Sequence, residues 1–394
     1  ARFLLRDARP EGAEEAQELL SGVLQRTPDL AAARETLALL LASQGGDDQW
    51  KRVEELLGSD ENGRAGSPAD RRLLAMLLVR RGGGESFDRA QRILERLVAE
   101  SPGRADADRL FLAGLYVQKG MLRAAEEQYL ALVRRPRPSV EALGEYIGLL
   151  LRQGESERAV EWLEQLEKLA PDQWRTLALR ARWHYVRQEA GQIEPLLEPV
   201  AERKFAESPA LADVDSDGLA VAEQTAQWQS RFAYTVGRTY LGVARWDAAE
   251  RWFRRAVETE MAGDQPPKPA HLLAYIELLL DREKPDEATP WLKELDEIDP
   301  DELGTLAAKA RWLALRGEAA EIEPMLEPVA ERLWENAADD EQQKGRLALT
   351  IGSLYLREKQ NKVAERWFRR VEQLSPEAYE ALAVALARQG RHAD

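Results

Sequence analysis

The sequence predicts an all-α fold in which antiparallel helix pairs stack in a row as a solenoid. Three observations support this fold class. Apolar residues recur at helical spacing in runs of about twelve to fifteen residues, with glycine, proline or charged turns between the runs. Long stretches of sequence repeat along the chain. No segment alternates apolar and polar residues with the period of two that a half-buried strand requires.

The composition is that of a folded chain that carries many charges. Of the 394 residues, 44% are hydrophobic and 32% are charged, and the length exceeds that of one ordinary core. The net charge of −15 argues against nucleic acid as the main partner, because phosphate binding needs a basic face. The absence of cysteine rules out disulfides and thiolate zinc sites. No apolar run approaches bilayer-spanning length and no signal peptide is visible, so cytoplasm and periplasm both remain open.

A long module repeats along the chain. Four residues recur at one constant offset: Tyr146, Trp162, Pro171 and Trp183 return as Tyr275, Trp291, Pro300 and Trp312. The block from Val236 returns from Ile351 at a shorter offset, which places an insertion between Trp183 and Trp252. We therefore predict one continuous array over residues 1–394, with modules at about 1–104, 105–224 (with a loop insertion near 207–224), 225–343 and a partial 344–394.

Within each module a shorter helix–turn–helix unit is visible. Gly352, Tyr355, Ala364, Phe368 and Pro376 stand in an order that Gly237, Tyr240, Ala249 and Phe253 repeat. Small residues let two helices approach closely, aromatic rings fill the adjoining space, and proline ends the unit.

This order and spacing resemble the tetratricopeptide repeat family, whose unit is a helix–turn–helix of about 34 residues. The resemblance covers essentially the whole chain. It implies a right-handed superhelical solenoid of about nine pairs with half a repeat at each end, a fragment of a longer array. Two second helices depart from the pattern, because Pro195 and Pro199, and likewise Pro324 and Pro328, lie inside them. We expect these helices to start late or to kink.

No catalytic motif stands out in the sequence. The histidines His184, His271 and His392 fall in different units, and neither a nucleophile elbow nor a phosphate-binding glycine loop occurs. We therefore predict no enzymatic activity and no cofactor. The resemblance implies a scaffold for protein–protein interaction, with oligomeric state undetermined. Two alternatives remain open: an envelope or periplasmic assembly factor that handles a polymer such as exopolysaccharide, and a regulatory domain attached to an enzyme outside this sequence.

An aspartate-rich loop leaves two interpretations open. Asp213, Asp215 and Asp217, followed by Gly218, match the start of a calcium loop. The twelfth position holds Gln224 instead of the glutamate that would give two oxygens. The segment is either a solvated inter-repeat loop that caps the next helix or a calcium site completed by carbonyl and water ligands.

Arginine and tyrosine are predicted on the inner surface. In the family that the chain resembles, the first helix of each pair lines the concave face. The repeat register places these residues there: Arg175, Arg182, Tyr185, Arg231, Tyr234, Arg238, Arg311, Arg346 and Arg357. The hypothesis is a groove for an acidic, extended segment of a protein or peptide partner, with Glu277 and Asp281 as local exceptions. The alternative is that these arginines pair with glutamates of neighbouring helices.

Tryptophans divide into two groups by the repeat. Six recur at equivalent positions and are predicted to pack in the core or between repeats: Trp162, Trp183, Trp252, Trp291, Trp312 and Trp367. Trp228 and Trp246 have no tryptophan at the equivalent position of the following module. These two are the candidates for a surface role.

Overall fold

The computed structural model describes residues 10–58, 66–101, 103, 105–207, 218–263, 266–337, 341–370 and 376–391. Every regular element in these ranges is a helix, which confirms the predicted all-α class. The chain divides into two compact units, unit 1 (Ala1–Glu189) and unit 2 (Ala190–Asp394). In the described residues no helix combines the length and the apolar character that crossing a membrane requires.

Unit 1 contains helices α1 to α10. Their bounds are α1 (Pro10–Arg26), α2 (Ala31–Gln44), α3 (Asp47–Leu56), α4 (Pro68–Arg81), α5 (Gly84–Glu100), α6 (Asp106–Gln118), α7 (Leu122–Val133), α8 (Val140–Arg152), α9 (Ser156–Leu169) and α10 (Trp174–Val186). Consecutive helices from α2 to α9 pack as pairs around a continuous apolar core. In each pair the even-numbered helix is the first helix and the odd-numbered helix is the second.

Unit 2 contains helices α11 to α20. Their bounds are α11 (Ile193–Ala206), α12 (Gly218–Leu241), α13 (Trp246–Met261), α14 (Pro269–Asp281), α15 (Pro285–Ile298), α16 (Leu303–Leu315), α17 (Ile322–Asn336), α18 (Glu341–Arg357), α19 (Asn361–Phe368) and α20 (Pro376–Arg388). Helices α12 to α19 again pack as consecutive pairs. The remaining predicted pair, α10 with α11, is divided between the two units.

The turns that follow α6, α8, α10, α12, α14, α16 and α18 each use one residue in the left-handed conformation. Glycine fills this position in three turns (Gly120, Gly154 and Gly317), and other residues fill it in four (Gln188, Ala244, Glu283 and Lys359). In each of these turns the next residue donates its backbone N–H to a carbonyl near the end of the first helix, as Arg245 does to Tyr240 at 2.9 Å. This bond satisfies a carbonyl that the helix end leaves free. The turn geometry therefore recurs even where the sequence does not supply glycine.

The two helices for which the sequence predicted a late start or a kink, α11 and α17, start late. A 3₁₀ turn (Ala190–Gln192) precedes α11, and another (Ala319–Glu321) precedes α17. The late start places Pro195 and Pro324 in the first turn, where a backbone N–H has no partner in the helix. Pro199 and Pro328 remain inside their helices.

Glycines on the first helices permit the close approach that the repeat pattern predicts. A Cβ atom added to Gly237 would lie 2.7 Å from Cδ1 of Phe253, and one added to Gly352 would overlap the ring of Phe368. Both rings are fully buried. Any side chain at these two positions would displace an aromatic ring of the core.

Helix α18 allows a direct test of this packing. Gly352→Ala should lower the free energy of unfolding by about 1–2 kcal/mol, because the overpacking exceeds the gain in helix propensity. Gly345 lies in the same helix with no atom within 4 Å of an added Cβ. Gly345→Ala should therefore raise the free energy of unfolding by up to about 1 kcal/mol. Urea unfolding followed by circular dichroism measures both, and equal stabilisation by the two variants would contradict the assigned packing.

Candidate protein-binding surface

The nine predicted surface residues all lie on first helices. Those on α10 belong to unit 1: Arg175, Arg182 and Tyr185. Those of unit 2 lie on α12 (Arg231, Tyr234, Arg238), α16 (Arg311) and α18 (Arg346, Arg357).

On α10, the two arginines of the predicted surface differ in their surroundings. The Nη2 atom of Arg175 donates to Glu145 at 2.6 Å, and its guanidinium lies over Gly144, which leaves room for it. The half-buried Arg182 has no carboxylate within ion-pair distance among the described residues, and its buried Nε has no acceptor. Tyr185, one turn further on, is exposed. Of these two, Arg182 is therefore the one whose charge no described carboxylate compensates.

On α12, three residues form a surface that we call the α12 patch: Arg231, Tyr234 and Arg238. Both arginines are exposed, and within the described part of the chain neither guanidinium lies within 4.0 Å of a carboxylate. Arg238 donates to the hydroxyl of Tyr234 at 3.3 Å. The Tyr234 ring stacks on the ring of His271 with 4.3 Å between centroids. The α12 patch thus presents two uncompensated positive charges beside a phenol ring that stacking holds in place.

Beneath the α12 patch lies a buried polar cluster. The Nδ1 atom of His271 lies 3.1 Å from the hydroxyl of Ser230 and 3.0 Å from a carboxylate oxygen of Glu260. A catalytic triad requires the serine and the acid on opposite ring nitrogens and an accessible serine, whereas Ser230 is fully buried and shares Nδ1 with the acid. This geometry ties α12, α13 and α14 together and does not fit nucleophilic catalysis.

The charge of Glu260 is stabilised within this cluster. Burial opposes ionisation of the carboxyl group, but hydrogen bonds from His271, from the backbone N–H of Lys268 and from Ser230 outweigh that effect. The pKa of Glu260 is therefore below its usual range. A charged Glu260 in turn fixes the ring of His271, against which Tyr234 stacks.

The next first helix, α14, has the opposite charge. Glu277 and Asp281 are exposed on it. The pKa of Glu277 is raised because surrounding protein hinders its hydration and Asp281 repels its charge, effects that Arg357 offsets only partly. The exposed face of unit 2 thus changes from basic on α12 to acidic on α14.

On α16 and α18 the arginines are mostly compensated. Arg311 lies 3.7 Å and Arg357 3.0 Å from the carboxylate of Glu358, which is buried. Arg357 also donates to the backbone carbonyl of Ala307 at 3.3 Å. Arg346 is exposed. Pairing with a glutamate of another helix or turn, the alternative left open by the sequence, thus applies to Arg175 and Arg311, whereas Arg357 pairs with the adjacent Glu358. Within the described residues it applies neither to Arg182 nor to the α12 patch.

The aspartate-rich loop gives no further information. Asp213, Asp215 and Asp217 lie outside the described residues, and Gly218 is the first residue of α12. Calcium binding there stays a prediction. Among the residues that the structure describes, no group of three or more histidine, aspartate or glutamate side chains is arranged to hold a metal ion.

Sequence reasoning missed a buried network that involves one glutamate of α11 and one of α17. Glu198 on α11 accepts hydrogen bonds from the Tyr240 hydroxyl at 2.5 Å and from Trp252 Nε1 at 3.2 Å. Glu327 on α17 accepts from Tyr355 at 2.9 Å and from Trp367 at 3.1 Å. The sequence did contain a signal for this network. The tripeptide "EPV" occurs in both modules, and in each it is followed by the tyrosine and the tryptophan that donate to its glutamate.

Comparison with known proteins agrees with this description. A family model described as tetratricopeptide repeat matches residues 112–173 in unit 1 and 234–302 in unit 2. A search of curated proteins found no match. Among solved structures, the crystal structure of yeast Tom70 aligns over 96% of this chain and 86% of that chain, with 14% identity and a TM-score of 0.47. The two matched regions are therefore similar to tetratricopeptide repeats, and both lie within the consecutive helix pairs of their units.

Proposed function

We propose that this protein is a non-enzymatic scaffold that binds an extended, acidic segment of a protein partner on the face formed by its first helices. The α12 patch carries this proposal. In this patch two exposed guanidinium groups lie on one helix face with a tyrosine between them, and no carboxylate of the described residues lies within ion-pair distance of either. Arg175, Arg311 and Arg357 already have carboxylate partners, so a carboxylate ligand gains more at the α12 patch than beside these three arginines.

The chemistry of arginine suits this role. Its planar guanidinium grips a carboxylate through two parallel hydrogen bonds and also stacks on flat groups. Arg231 and Arg238 lie two helical turns apart with Tyr234 between them, so an extended segment that crosses α12 can meet both charges and the ring. Glu277 and Asp281 on α14 repel further acidic residues, which supports a short acidic stretch over α12 and not a uniformly acidic ligand.

Peptides selected from a random display library on the wild-type protein provide the test. We expect them to be enriched in Asp and Glu and to bind more weakly as salt screens the charges. The double variant Arg231→Ala, Arg238→Ala should weaken binding at least about tenfold, because each charge-assisted hydrogen bond contributes about 1.5–3 kcal/mol. Adding Arg182→Ala to this double variant tests whether Arg182 on α10 also contributes to peptide affinity. Fluorescence polarisation with a labelled selected peptide measures each affinity.

A charge-matched control separates this contact from general electrostatics. Arg123 on α7 and Arg203 on α11 are exposed residues of second helices without a carboxylate within ion-pair distance in the described ranges. The variant Arg123→Ala, Arg203→Ala removes the same charge and should change peptide affinity less than about twofold. Equal loss in both double variants, or no loss in the α12 variant, would refute binding at the α12 patch.

A further inference from the structure

Trp246 differs from the other tryptophans of this chain. Six of the eleven carry a cationic side chain over the ring: Trp50, Trp183, Trp252, Trp312, Trp334 and Trp367. Three others pack against an aromatic ring: Trp162, Trp228 and Trp291. Trp174 also makes an intramolecular contact. Trp246 is 45% exposed, and among the described residues neither a cation nor an aromatic ring lies against it.

Trp246 lines a cavity of about 480 Å³ in unit 2, which we call the Trp246 cavity. The wall is built from α11, from the turn between α12 and α13, and from the end of α14. Its charged members are Glu194, Arg245, Asp247, Asp281 and Arg282. An exposed indole ring therefore lies within a recess of charged side chains.

Most of these charges cancel in pairs. Arg245 donates to Glu194 at 3.0 Å, and Arg282 contacts Asp247 at 2.6 Å. Asp281 has no hydrogen-bond or ion-pair partner in the parts of the chain that the structure describes. The cavity thus combines one uncompensated carboxylate with one uncovered indole ring. The C-terminal end of α14 at Asp281 adds to the negative potential, and Asp247 offsets the positive N-terminal end of α13.

In two other turns of this protein an indole ring and a carboxylate together contact a cationic side chain. After α10, Arg187 lies over the ring of Trp183, with its carbon 4.7 Å from the centroid, and its Nε donates to Glu189 at 2.9 Å. After α16, Arg316 lies 4.7 Å from the ring of Trp312 and its Nε donates to Glu318 at 3.1 Å. In both turns one cation is held between an indole ring and a carboxylate.

We propose that the Trp246 cavity binds a lysine or arginine side chain of a partner protein, with the cation over Trp246 and hydrogen-bonded to Asp281. The tryptophan ring attracts a cation within about 6 Å more strongly than other aromatic rings do. The carboxylate of Asp281 supplies the acceptor. This site is distinct from the α12 patch in residues and in charge, so it does not depend on acidic-segment binding there.

The test is ¹⁹F NMR of protein labelled with 5-fluorotryptophan, in which Trp246→Phe identifies the signal of Trp246. The probes are the N-acetyl, N-methylamide derivatives of lysine, arginine, norleucine and glutamate. We expect the lysine and arginine probes to shift the Trp246 signal in a saturable way at millimolar concentrations, and the uncharged norleucine probe to leave it in place. Asp281→Asn should weaken the response to the cationic probes at least about fivefold.

Two control variants complete the experiment. Asp172→Asn removes an exposed carboxylate of unit 1 and should leave the titration unchanged. Arg231→Ala, Arg238→Ala should also leave it unchanged, so that failure of the α12 patch and failure of this site can be told apart. The proposal is overturned if the cationic probes cause no shift, if norleucine or glutamate shifts the signal as strongly, or if Asp281→Asn titrates like the wild type.

Discussion

Replacing Trp252 by alanine is expected to lower the free energy of unfolding by about 3–5 kcal/mol. The side chain is only 1% exposed. Its ring packs edge-on against Phe205 with 5.9 Å between centroids, Arg255 lies 4.9 Å from the ring centroid, and Nε1 donates to Glu198. Truncation therefore creates a cavity in the core and also removes one of the hydrogen bonds that Glu198 accepts.

The same helix contains the control for this substitution. Trp246 begins α13, and Trp246→Ala should change the free energy of unfolding by no more than about 0.5 kcal/mol, because the ring is exposed and lies against no other ring of the described residues. Chemical denaturation followed by circular dichroism compares the two variants. A large loss for Trp246→Ala would show that its ring supports the fold and would remove it as a binding residue.

Glu198→Ala is expected to lower the free energy of unfolding by about 2–4 kcal/mol, because it leaves two buried donors without an acceptor. These donors are the hydroxyl of Tyr240 and Nε1 of Trp252. Glu202 lies one turn further along α11, is exposed and contacts Arg255 at 2.8 Å. Glu202→Ala should therefore cost at most about 1 kcal/mol. Equal losses for the two variants would contradict the role assigned to Glu198.

The Glu198 network also predicts a dependence on pH. Burial opposes ionisation of Glu198, but hydrogen bonds from Tyr240, Trp252 and Arg251 outweigh it, so its pKa in the folded protein is below the ordinary value of 4.5. A lowered carboxyl pKa stabilises the folded state above the unfolded pKa, and this contribution is lost as the pH falls through the folded pKa. Denaturation series below about pH 5 should therefore show a weaker loss of stability in Glu198→Gln than in the wild type.

The positions that the sequence located correctly are those fixed by the repeat. The order of Gly352, Ala364 and Phe368 implies close helix approach, and the structure places Phe368 against Gly352. The recurrence of Trp252 as Trp367 implies packing, and both rings are buried. Trp246, which lacks this recurrence, is exposed as expected, whereas Trp228 is half-buried and stacks on Phe232 with 5.1 Å between centroids. A repeat specifies which helix face a residue lies on, because that depends only on helical period.

The sequence could not predict which charged side chains form ion pairs. The repeat register predicts both Arg231 and Arg357 on the inner surface and does not distinguish between them. In the structure Arg357 contacts Glu358 at 3.0 Å, whereas Arg231 has no carboxylate within ion-pair distance in the described residues. A long arginine side chain can reach several acidic residues on neighbouring helices. Its rotamer and its local burial decide which of them it contacts. The contact of His271 with Ser230 and Glu260 joins three helices and leaves no local signal.

Photo-crosslinking of a selected acidic peptide tests partner binding on the first helices most directly. A benzophenone amino acid is placed at Thr235, which is exposed on α12 one turn from Arg231, or at Glu258, which is exposed on α13. Binding at the α12 patch predicts crosslinks from position 235, their loss in Arg231→Ala, Arg238→Ala, and none from position 258. Crosslinks from position 258 alone, or crosslinks from position 235 that persist in the double variant, would contradict it.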